Sequence, residues 1–317
     1  MRNKKEDFIC ALHDSSLDQL KRIEKSDLHN HAIMGGNINY LSHRLNINLT
    51  SFYGVFKSVS EMDTWTKINI NTHCKGFRGY MKRIEAAFVN AVEDGVTRLS
   101  MSFCLDGICS FKDTLFFIDL IKHLREKYAP SIIFLPELSI RRDTNVNYAI
   151  EKVIEILSHN WFKSIDICGD EFAQSIKNFK NIYKIAKDKG LILKAHVGEF
   201  GSADDVFEAV EELELSQVHH GIAASSSEQV MRWLSDNNIQ LNICPTSNIM
   251  LNIVSSYNNH PIKKLYDFGI PVTINTDDML LFNQSASQEY LNLYKSNLMS
   301  ASELNEIRLI GLERCKL

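Results

Sequence analysis

Eight short strand-like segments alternate with helical segments along this chain, and this alternation constrains the fold more than any other feature. The strand candidates lie near residues 26–29, 97–103, 131–138, 164–168, 191–196, 216–220, 239–244 and 272–276. Between most of them, apolar residues recur at helical spacing, as in Phe116-Ile118-Ile121-Leu124 and Val206-Val210-Leu213. Strands separated by helices form a parallel sheet through right-handed crossovers. Eight such units in 317 residues predict an α/β fold, a closed (β/α)8 TIM barrel.

An open, doubly wound sheet is the alternative architecture, but the first strand candidate is not followed by a glycine-rich phosphate-binding turn. Lys189-Gly190 and Gly269-Ile270-Pro271 are helix-stop signals that precede the fifth and eighth strand candidates. We find no repeat, low-complexity tract or linker, so residues 1–317 are predicted to form a single domain.

One connection is much longer than the others. About 45 residues separate His31 from the helix that starts near Gly76. A long connection in a compact domain is usually functional. We therefore predict a helical lid insertion at about 38–75, placed over the mouth of the barrel, with ordinary helical decoration as the alternative.

The composition is typical of a soluble globular protein, with 44% hydrophobic and 23% charged residues. A formal charge of −4 provides no basic surface for extended nucleic-acid binding. The seven cysteines contain no CxxC pair and favour buried thiols in a reducing compartment over a disulfide framework. The charged segment Met1–Asp7 leads into no long apolar stretch, so neither a signal peptide nor a membrane span is predicted. We expect a cytoplasmic protein.

Residues that can bind a metal ion end several of the strand candidates. His29 and His31 are two residues apart, so both side chains point to the same side of a strand. His196 ends the fifth strand candidate, and Asp277 ends the eighth. Parallel barrels build their sites at the carboxyl ends of the strands, and imidazole and carboxylate groups suit a catalytic zinc ion. The same ligands also accept Fe²⁺, Mn²⁺ or Co²⁺.

Two adjacent histidines end the sixth strand candidate, and a strand can direct only one of them inward. We assign His220 as the inward residue because Gly221 leaves space beside it, and His219 as a packed or surface residue. The remaining histidines are expected on the surface without a role: His13, His43, His73, His123, His159 and His260.

Acidic residues follow the same strand ends. Glu199 lies three residues after His196 on the loop that leaves the strand, which suits a general acid or base. Asp277 and Asp278 are adjacent and must diverge, so one can face a metal while the other meets the substrate. Two carboxylates this close would repel each other without a cation.

At these residues the chain resembles the adenosine deaminase family of metal-dependent amidohydrolases. The family pattern is matched by His29-Asn30-His31, His196-Val197-Gly198-Glu199, His219-His220-Gly221, Cys244-Pro245-Thr246-Ser247-Asn248 and Thr276-Asp277-Asp278. Ile167-Cys168-Gly169-Asp170-Glu171 also resembles the glycine-acid segment that follows strand four in the family.

The resemblance implies one Zn²⁺, bound by His29, His31, His196 and Asp277, which would lower the pKa of water. A single metal is also implied because the fourth strand candidate contains no lysine, whereas binuclear relatives often use a modified one there. The implied partner is a small purine nucleoside or nucleotide, with no nucleic acid and no membrane. The sequence gives no oligomeric state.

The resemblance also implies the catalytic roles. His220 would orient the attacking hydroxide, Asp277 would help to take its proton, and Glu199 would protonate N1 of the purine. His31, Gly169 and Asp278 would contact the substrate, Gly169 near N3 and Asp278 near N7. Ammonia would leave, giving an inosine-type product.

The segment after His31 departs from the family pattern. Common family members continue with Leu-Asp-Gly, and their aspartate is thought to meet the ribose 5′-hydroxyl, whereas this chain has Ala32-Ile33-Met34-Gly35-Gly36. We hypothesise that the exposed N–H groups of Gly35-Gly36 accept a 5′-phosphate, with Arg141 and Arg142 as further phosphate partners. The alternative is that Gly35-Gly36 only forms a sharp turn into the lid.

Two other functions fit the same residues. An amidohydrolase barrel can hydrolyse another C–N or ester bond, although Glu199 favours deamination because a ring nitrogen must be protonated. A catalytically silent nucleotide-binding relative is the second alternative, and the complete set of ligands and acids argues against it.

Overall fold

The computed structural model describes residues 4–314, so Cys315 lies outside the described residues. Eight strands form one sheet in the order β1 to β8, and each strand pairs in parallel with the next. The strands are β1 (Lys25–His31), β2 (Val96–Cys104), β3 (Ile133–Arg141), β4 (Ser164–Cys168), β5 (Ile192–Val197), β6 (Gln217–His220), β7 (Gln240–Ile243) and β8 (Val272–Ile274). Every predicted strand overlaps an observed one, and the predicted (β/α)8 barrel is confirmed.

Helices surround the sheet and fill the connections between its strands. They are α1 (Lys4–His13), α2 (Leu17–Lys21), α3 (Ile38–Leu45), α4 (Val59–Thr66), α5 (Gly76–Glu93), α6 (Leu105–Cys109), α7 (Thr114–Tyr128), α8 (Val146–Leu157), α9 (Lys180–Asp188), α10 (Ala203–Leu213), α11 (Glu228–Asp236), α12 (Pro245–Met250), α13 (Ile262–Asp267), α14 (Met279–Phe282), α15 (Ala286–Lys295) and α16 (Ala301–Glu313). A π-helix (Lys67–Asn71) extends α4, and 3-10 turns cover Ile176–Phe179, Ile222–Ser226 and Tyr257–Asn259.

Strand β5 illustrates how the side chains divide between the two faces of the sheet. Leu193, Ala195 and Val197 point outward and belong to the main hydrophobic core between the sheet and the helices. Lys194 and His196 alternate with them, are buried, and point into the barrel. The same alternation therefore produces an apolar outer layer and a polar interior.

The barrel closes between β8 and β1 through a short seam. The backbone N–H of Asp277 donates to the carbonyl of His29 at 2.9 Å, and a single parallel bridge joins Asn30 to Asp277. Below it, the Asn275 side chain accepts from the Leu28 N–H at 2.7 Å, in place of a backbone ladder bond. Two predicted metal ligands thus lie at the closing seam.

The insertion after β1 packs as a second hydrophobic cluster against the ends of β1, β7 and β8. Helices α3 and α4 and the π-helix occupy part of residues 38–75, and α5 begins at Gly76 as expected. Phe52 and Phe56 stack with ring centroids 3.7 Å apart, and Phe56 is completely buried. The cluster also includes Leu251 and Phe282, which follow β7 and β8.

Within residues 4–314, no helix is sufficiently long and apolar to cross a bilayer. The six cysteines of this range are free thiols. Cys10 and Cys109 are exposed, so the expectation that the thiols are buried is wrong for these two.

Candidate active site

The four predicted metal ligands converge at the carboxyl ends of the strands. The His29 and His196 ring centroids lie 4.6 Å apart, and the His31 ring lies 5.3 Å from each of them. Asp277 Oδ1 is 3.2 Å from His31 Nε2 and 3.6 Å from His29 Nε2. Side chains from β1, β5 and the end of β8 therefore surround one small volume.

Possible ligand atoms within 4.8 Å of one another form several overlapping groups, and none of these groups contains all four predicted ligands. His29 and His196 group with His220, Asp277 groups with His29 and Cys244, and His31 groups with Asp277 and Asp278. His220, predicted to be catalytic, therefore lies as close to the centre as the predicted ligands do.

The donor set fits a divalent cation. The Nε2 atom of His29 is buried and has no hydrogen-bond partner, although this residue is almost inaccessible to solvent. Burial, assisted by the neighbouring His31, lowers the pKa of His196 to about 3, so its imidazole is neutral and can bind metal. Burial opposes ionisation of Asp277, but the hydrogen bond from His31 and its charge hold the pKa of this carboxyl well below its usual range. His29 and His196 therefore offer neutral imidazoles beside the Asp277 carboxylate, which are suitable zinc ligands, whereas His31 would release its proton on binding a metal.

The second ring nitrogen of His196 is fixed by Asp166, which the sequence analysis did not identify. Nδ1 of His196 lies 3.0 Å from Asp166 Oδ1. Asp166 is on β4, and burial raises the pKa of its carboxyl to about 7. A ligating histidine commonly uses its second nitrogen in this way, which orients the ring and selects its tautomer.

Both histidines at the end of β6 face the barrel interior, contrary to the prediction that only one would. His220 has φ +61°, so the chain leaves the extended conformation there and the two-residue alternation of a strand no longer applies. Nε2 of His220 lies 3.5 Å from Glu199 Oε1 and 3.8 Å from Asp277 Oδ2. His219 instead points deeper, with Nε2 3.1 Å from Glu137 Oε1.

Asn248, the last residue of the Cys244–Asn248 motif, contacts the ring nitrogen of His220 that does not face Glu199. Its Nδ2 lies 3.1 Å from His220 Nδ1, and its Oδ1 lies 3.2 Å from His260 Nε2. The expectation that His260 is a surface residue is therefore wrong, because its ring is buried in this hydrogen-bonded chain. The other five histidines expected on the surface are exposed.

A buried ion pair lies beneath the ligands and was also missed. Lys194 Nζ is 2.6 Å from Glu137 Oε2, and the Ser164 hydroxyl donates to the same oxygen at 2.8 Å. Burial opposes ionisation of Glu137, yet the charge of Lys194 holds the pKa of this carboxyl well below its usual range. The position of Lys194, two residues before His196 on one strand, was a signal that both side chains face inward.

Two acids border the ligand cluster without hydrogen-bond partners. Oε1 of Glu199 and Oδ1 of Asp278 are buried and unpartnered. Burial is the main cause that raises the pKa of Glu199 well above its usual range, and the negative charge of Asp277 raises it further. Burial raises the pKa of Asp278 to about 7. A carboxyl group that stays protonated near neutral pH can donate a proton to a ligand.

The ligands and acids open into a cavity of about 580 Å³, within the usual range for small-molecule sites. Its lining includes the predicted residues His31, Gly169, His196, Glu199, His220, Asp277 and Asp278. The insertion contributes Val59, Met62, Asp63 and Asn71 to the opposite wall.

The glycine pair after β1 does not reach this cavity, so the phosphate-cradle hypothesis is wrong and the turn alternative holds. Both glycines are buried in close packing. A Cβ atom on Gly35 would lie 1.8 Å from Asn30 Oδ1, and one on Gly36 would lie 2.6 Å from Ala86 Cβ. These positions are glycine because neighbouring atoms leave no space.

The two arginines proposed as phosphate partners differ in position. Arg141 lines the cavity and is paired with Asp143, with Nε 3.1 Å from Asp143 Oδ1. Arg142 lies outside the cavity lining and donates from Nε to the Gln174 carbonyl at 2.8 Å. Only Arg141 is therefore available to a molecule in the cavity.

A glutamate that was noted only as part of the glycine-acid segment has a marked role in the local geometry. The carboxylate of Glu171 accepts hydrogen bonds from the backbone N–H groups of residues 198–201, at 2.8–3.2 Å. This loop carries Glu199. Glu171 follows β4 and the loop follows β5, so their contact could not be read from sequence spacing.

Comparison with known proteins identifies related chains. Residues 137–315 match the family model described as adenosine deaminase. A Treponema pallidum protein with the provisional name adenosine/adenine deaminase is 29% identical over 287 residues, which cover 90% of this chain and 96% of that protein. The Plasmodium gallinaceum adenosine deaminase is 32% identical over 201 residues, or 62% of this chain and 54% of that protein.

Solved structures share the fold at low identity. An adenine deaminase from Arthrobacter aurescens superimposes with a TM-score of 0.80 at 20% identity, covering 92% of this chain and 94% of that one. Arabidopsis ADAL complexed with IMP gives 0.78 at 17% identity, with 93% of each chain covered. A Burkholderia ambifaria amidohydrolase with bound Zn gives 0.75 at 18% identity, covering 94% and 87%.

The family-model match and the curated relatives identify this parallel barrel, with histidines and acids at its carboxyl rim, as a hydrolase that acts on C–N bonds of cyclic amidines. More particularly, the chain belongs to the adenosine deaminase family, since the family model matches more than half of its length.

Proposed function

We propose that the protein is a zinc-dependent deaminase that converts adenine nucleosides or their 5′-monophosphates to inosine-type products and ammonia. The observation that carries this proposal is the unpartnered Glu199 Oε1, which lies 3.5 Å from His220 Nε2 beside the ligand cluster. A proton donor next to a cation site is what hydrolytic removal of a ring amine requires.

We propose His29, His31, His196 and Asp277 as the residues that hold the cation. His220 lies close enough either to bind the same cation or to orient the attacking water. A divalent cation bound there would act as a Lewis acid that lowers the pKa of water. Zinc is the proposed ion because the donors are imidazole nitrogens and a carboxylate. The other divalent transition metals remain chemically compatible with this set.

The residues of the chain would then perform the proton transfers. The hydroxyl of a water adds to C6 of the purine, oriented by His220, while Asp277 takes its proton. Glu199 donates a proton to N1, which disperses the charge that develops as the ring loses aromaticity. The proton taken by Asp277 then passes to the exocyclic amine, which leaves C6 as ammonia, while the C6 hydroxyl returns a proton to Glu199 and becomes the carbonyl of the product. Asp278 in its protonated form would donate a hydrogen bond to N7, and the Gly169 backbone would contact N3.

Several observations support a purine substrate. The chain is a family member, its Treponema pallidum relative is named for adenosine and adenine, and the Arabidopsis protein of similar fold was solved with IMP. Free adenine is a second candidate substrate, because the Arthrobacter aurescens protein of similar fold is an adenine deaminase. A cavity of about 580 Å³ accommodates a nucleoside as well as a base.

We also propose that residues 1–317 act as one domain and that residues 38–75 form a lid. Met62 and Asp63 of this segment line the cavity, and Phe56 anchors it in the second hydrophobic cluster. The lid would exclude water other than the attacking molecule during the reaction.

The test is a substrate panel of adenine, adenosine, deoxyadenosine, AMP and dAMP, followed by the absorbance change on conversion to the hypoxanthine compound. We expect turnover with at least one member and zinc near one per chain by elemental analysis. Ammonia release from none of the five would contradict the proposal. Turnover of another amino-heterocycle alone would favour the broader amidohydrolase function.

A further inference from the structure

The carboxylate of Glu171 is bound by four consecutive backbone N–H groups. Oε1 accepts from Glu199 N at 2.8 Å and from Phe200 N at 2.9 Å. Oε2 accepts from Gly198 N at 2.9 Å and from Gly201 N at 3.2 Å. The residue is 5% exposed, so these bonds form away from bulk water. One buried anion therefore organises the whole loop that follows β5.

On the β6 side the loop is also held by the Ala223 N–H, which donates to the Gly198 carbonyl at 2.9 Å, but in the described part of the chain it has no backbone support on the β4 side. The backbone ladder between β4 and β5 pairs Ser164 with Ile192 and Ile165 with Leu193, and it extends no further towards the rim. Beyond that point the two strand ends are joined by side chains, which include Glu171. Buried N–H groups without an acceptor are costly, so the loop would have to rearrange if Glu171 were absent.

Two glycines allow the loop to wrap around the carboxylate. Gly198 has φ +69°, which favours glycine, and a Cβ atom there would lie 2.3 Å from Val206 Cγ2. A Cβ atom on Gly201 would lie 2.7 Å from Glu171 Oε2. Glycine at the first and last of these four positions therefore allows the loop to adopt the conformation that binds the Glu171 carboxylate.

Glu199 lies in the loop that Glu171 binds, so this arrangement affects where its carboxyl group can point. Its Oε1 has no hydrogen-bond partner, so no bond to that atom fixes where the carboxyl group points. The position of Glu199 relative to His220 then depends on the backbone that Glu171 holds. The adjacent Phe200 lines the cavity and packs against the cluster of the insertion, so one loop supplies both the acid and part of the apolar wall.

We propose that Glu171 is a positioning residue that fixes Glu199 for proton donation to the substrate. This inference rests on the proposed function, in which Glu199 is the donor. General acids act only within hydrogen-bond reach of the proton acceptor, and small displacements of a reacting group reduce the rate strongly.

The first test is the substitution Glu171→Gln, assayed with the best substrate of the panel. Glutamine preserves the shape but replaces one acceptor oxygen by an NH2 group that faces two N–H donors. We expect kcat to fall about 10- to 100-fold, with KM and bound zinc changed by less than about threefold. If this variant does not fold, Glu171→Asp keeps the charge and withdraws the carboxylate, and the same loss of kcat is expected.

A double-mutant cycle with Glu199→Gln separates positioning from a general loss of structure. Because Glu171 would act through Glu199, adding Glu171→Gln to Glu199→Gln should reduce kcat by less than about threefold. Equal reductions in the two backgrounds would overturn the inference. Amide hydrogen exchange of residues 198–201 should accelerate in Glu171→Gln, whether or not a substrate is known.

A matched control is available at the opposite end of the barrel. Asp94 is also a buried carboxylate that accepts a backbone N–H, from Ser287 at 3.0 Å, and a hydroxyl, from Ser285 at 2.9 Å. Asp94→Asn should lower the melting temperature and leave kcat unchanged. If Glu171→Gln behaves like this control, the inference is wrong. If the wild type deaminates no amino-purine, the proposed function itself fails, and the two failures are thereby distinguished.

Discussion

The backbone N–H of Asp277 donates to the carbonyl of His29 at 2.9 Å, so two predicted metal ligands join the last strand end of the barrel to the first strand. The closing seam therefore contains two of the residues of the candidate metal site. Any change that opens the seam separates ligands, and any ligand that binds both residues tightens the barrel.

Asn275→Ala should weaken the seam and the metal site together. The Asn275 side chain accepts from the Leu28 N–H at 2.7 Å, and the substitution leaves that buried donor without a partner. We expect a loss of about 1–3 kcal/mol in the free energy of unfolding. Urea unfolding and competition with a chelator measure the two effects, and a loss of stability without any loss of zinc affinity would contradict the coupling.

Gly35→Ala should disturb the ligands although residue 35 touches none of them. The new Cβ would lie 1.8 Å from Asn30 Oδ1, and Asn30 lies between His29 and His31. Its amide donates to Thr276 Oγ1 at 3.1 Å, so its displacement also strains the seam. We expect a clear drop in zinc content by elemental analysis. Gly190→Ala is the control, since no atom lies within 4 Å of its Cβ position. Its φ of +74° means that alanine strains the backbone, but this residue precedes β5 at the opposite end of the strand from His196, so the variant should lose stability but retain zinc.

Asp166→Asn should reduce metal affinity without removing a ligand. The Asp166 carboxylate lies 3.0 Å from His196 Nδ1 and orients the ring. Loss of such a partner typically costs about 10- to 100-fold in metal affinity. Chelator competition followed by activity recovery on adding zinc measures this effect. Unchanged affinity would show that the packing of His196 alone orients it.

Because of Lys25, the free energy of unfolding should depend on pH in the alkaline range. Burial is the main cause that lowers the pKa of this ammonium group from 10.5 to about 8. Between these values the unfolded chain binds more protons than the folded chain, so the free energy of unfolding rises with pH over this window. A shift of this size corresponds to about 3 kcal/mol. Urea unfolding at pH 8 and pH 10 should reveal the rise in the wild type, and Lys25→Met should lack it.

Local patterns predicted the barrel and most of the site because the relevant signals lie within single strands. The apolar run before His196 and the two-residue spacing of His29 and His31 are properties of a few neighbouring residues. They remain true once the strands pair in parallel, since the carboxyl ends must then meet at one rim.

The errors have a different origin. The inward direction of both His219 and His220 follows from a positive φ at His220, which no spacing rule anticipates. The N–H groups of Gly35-Gly36 were predicted to be exposed to a phosphate because the contact of Gly35 with Asn30 depends on how the chain folds back. The contact of Glu171 with the Glu199 loop joins two strand ends, so it appears only when the barrel is assembled.

The Lys194–Glu137 pair has a consequence for how the protein matures. The ammonium group of Lys194 lies 2.6 Å from the buried Glu137 carboxylate and supplies its countercharge. This carboxylate is therefore charge-balanced by the polypeptide itself and needs no bound ion. Accordingly, we expect the chain to fold without a bound cation, and the metal-free protein to bind a divalent cation when one is supplied.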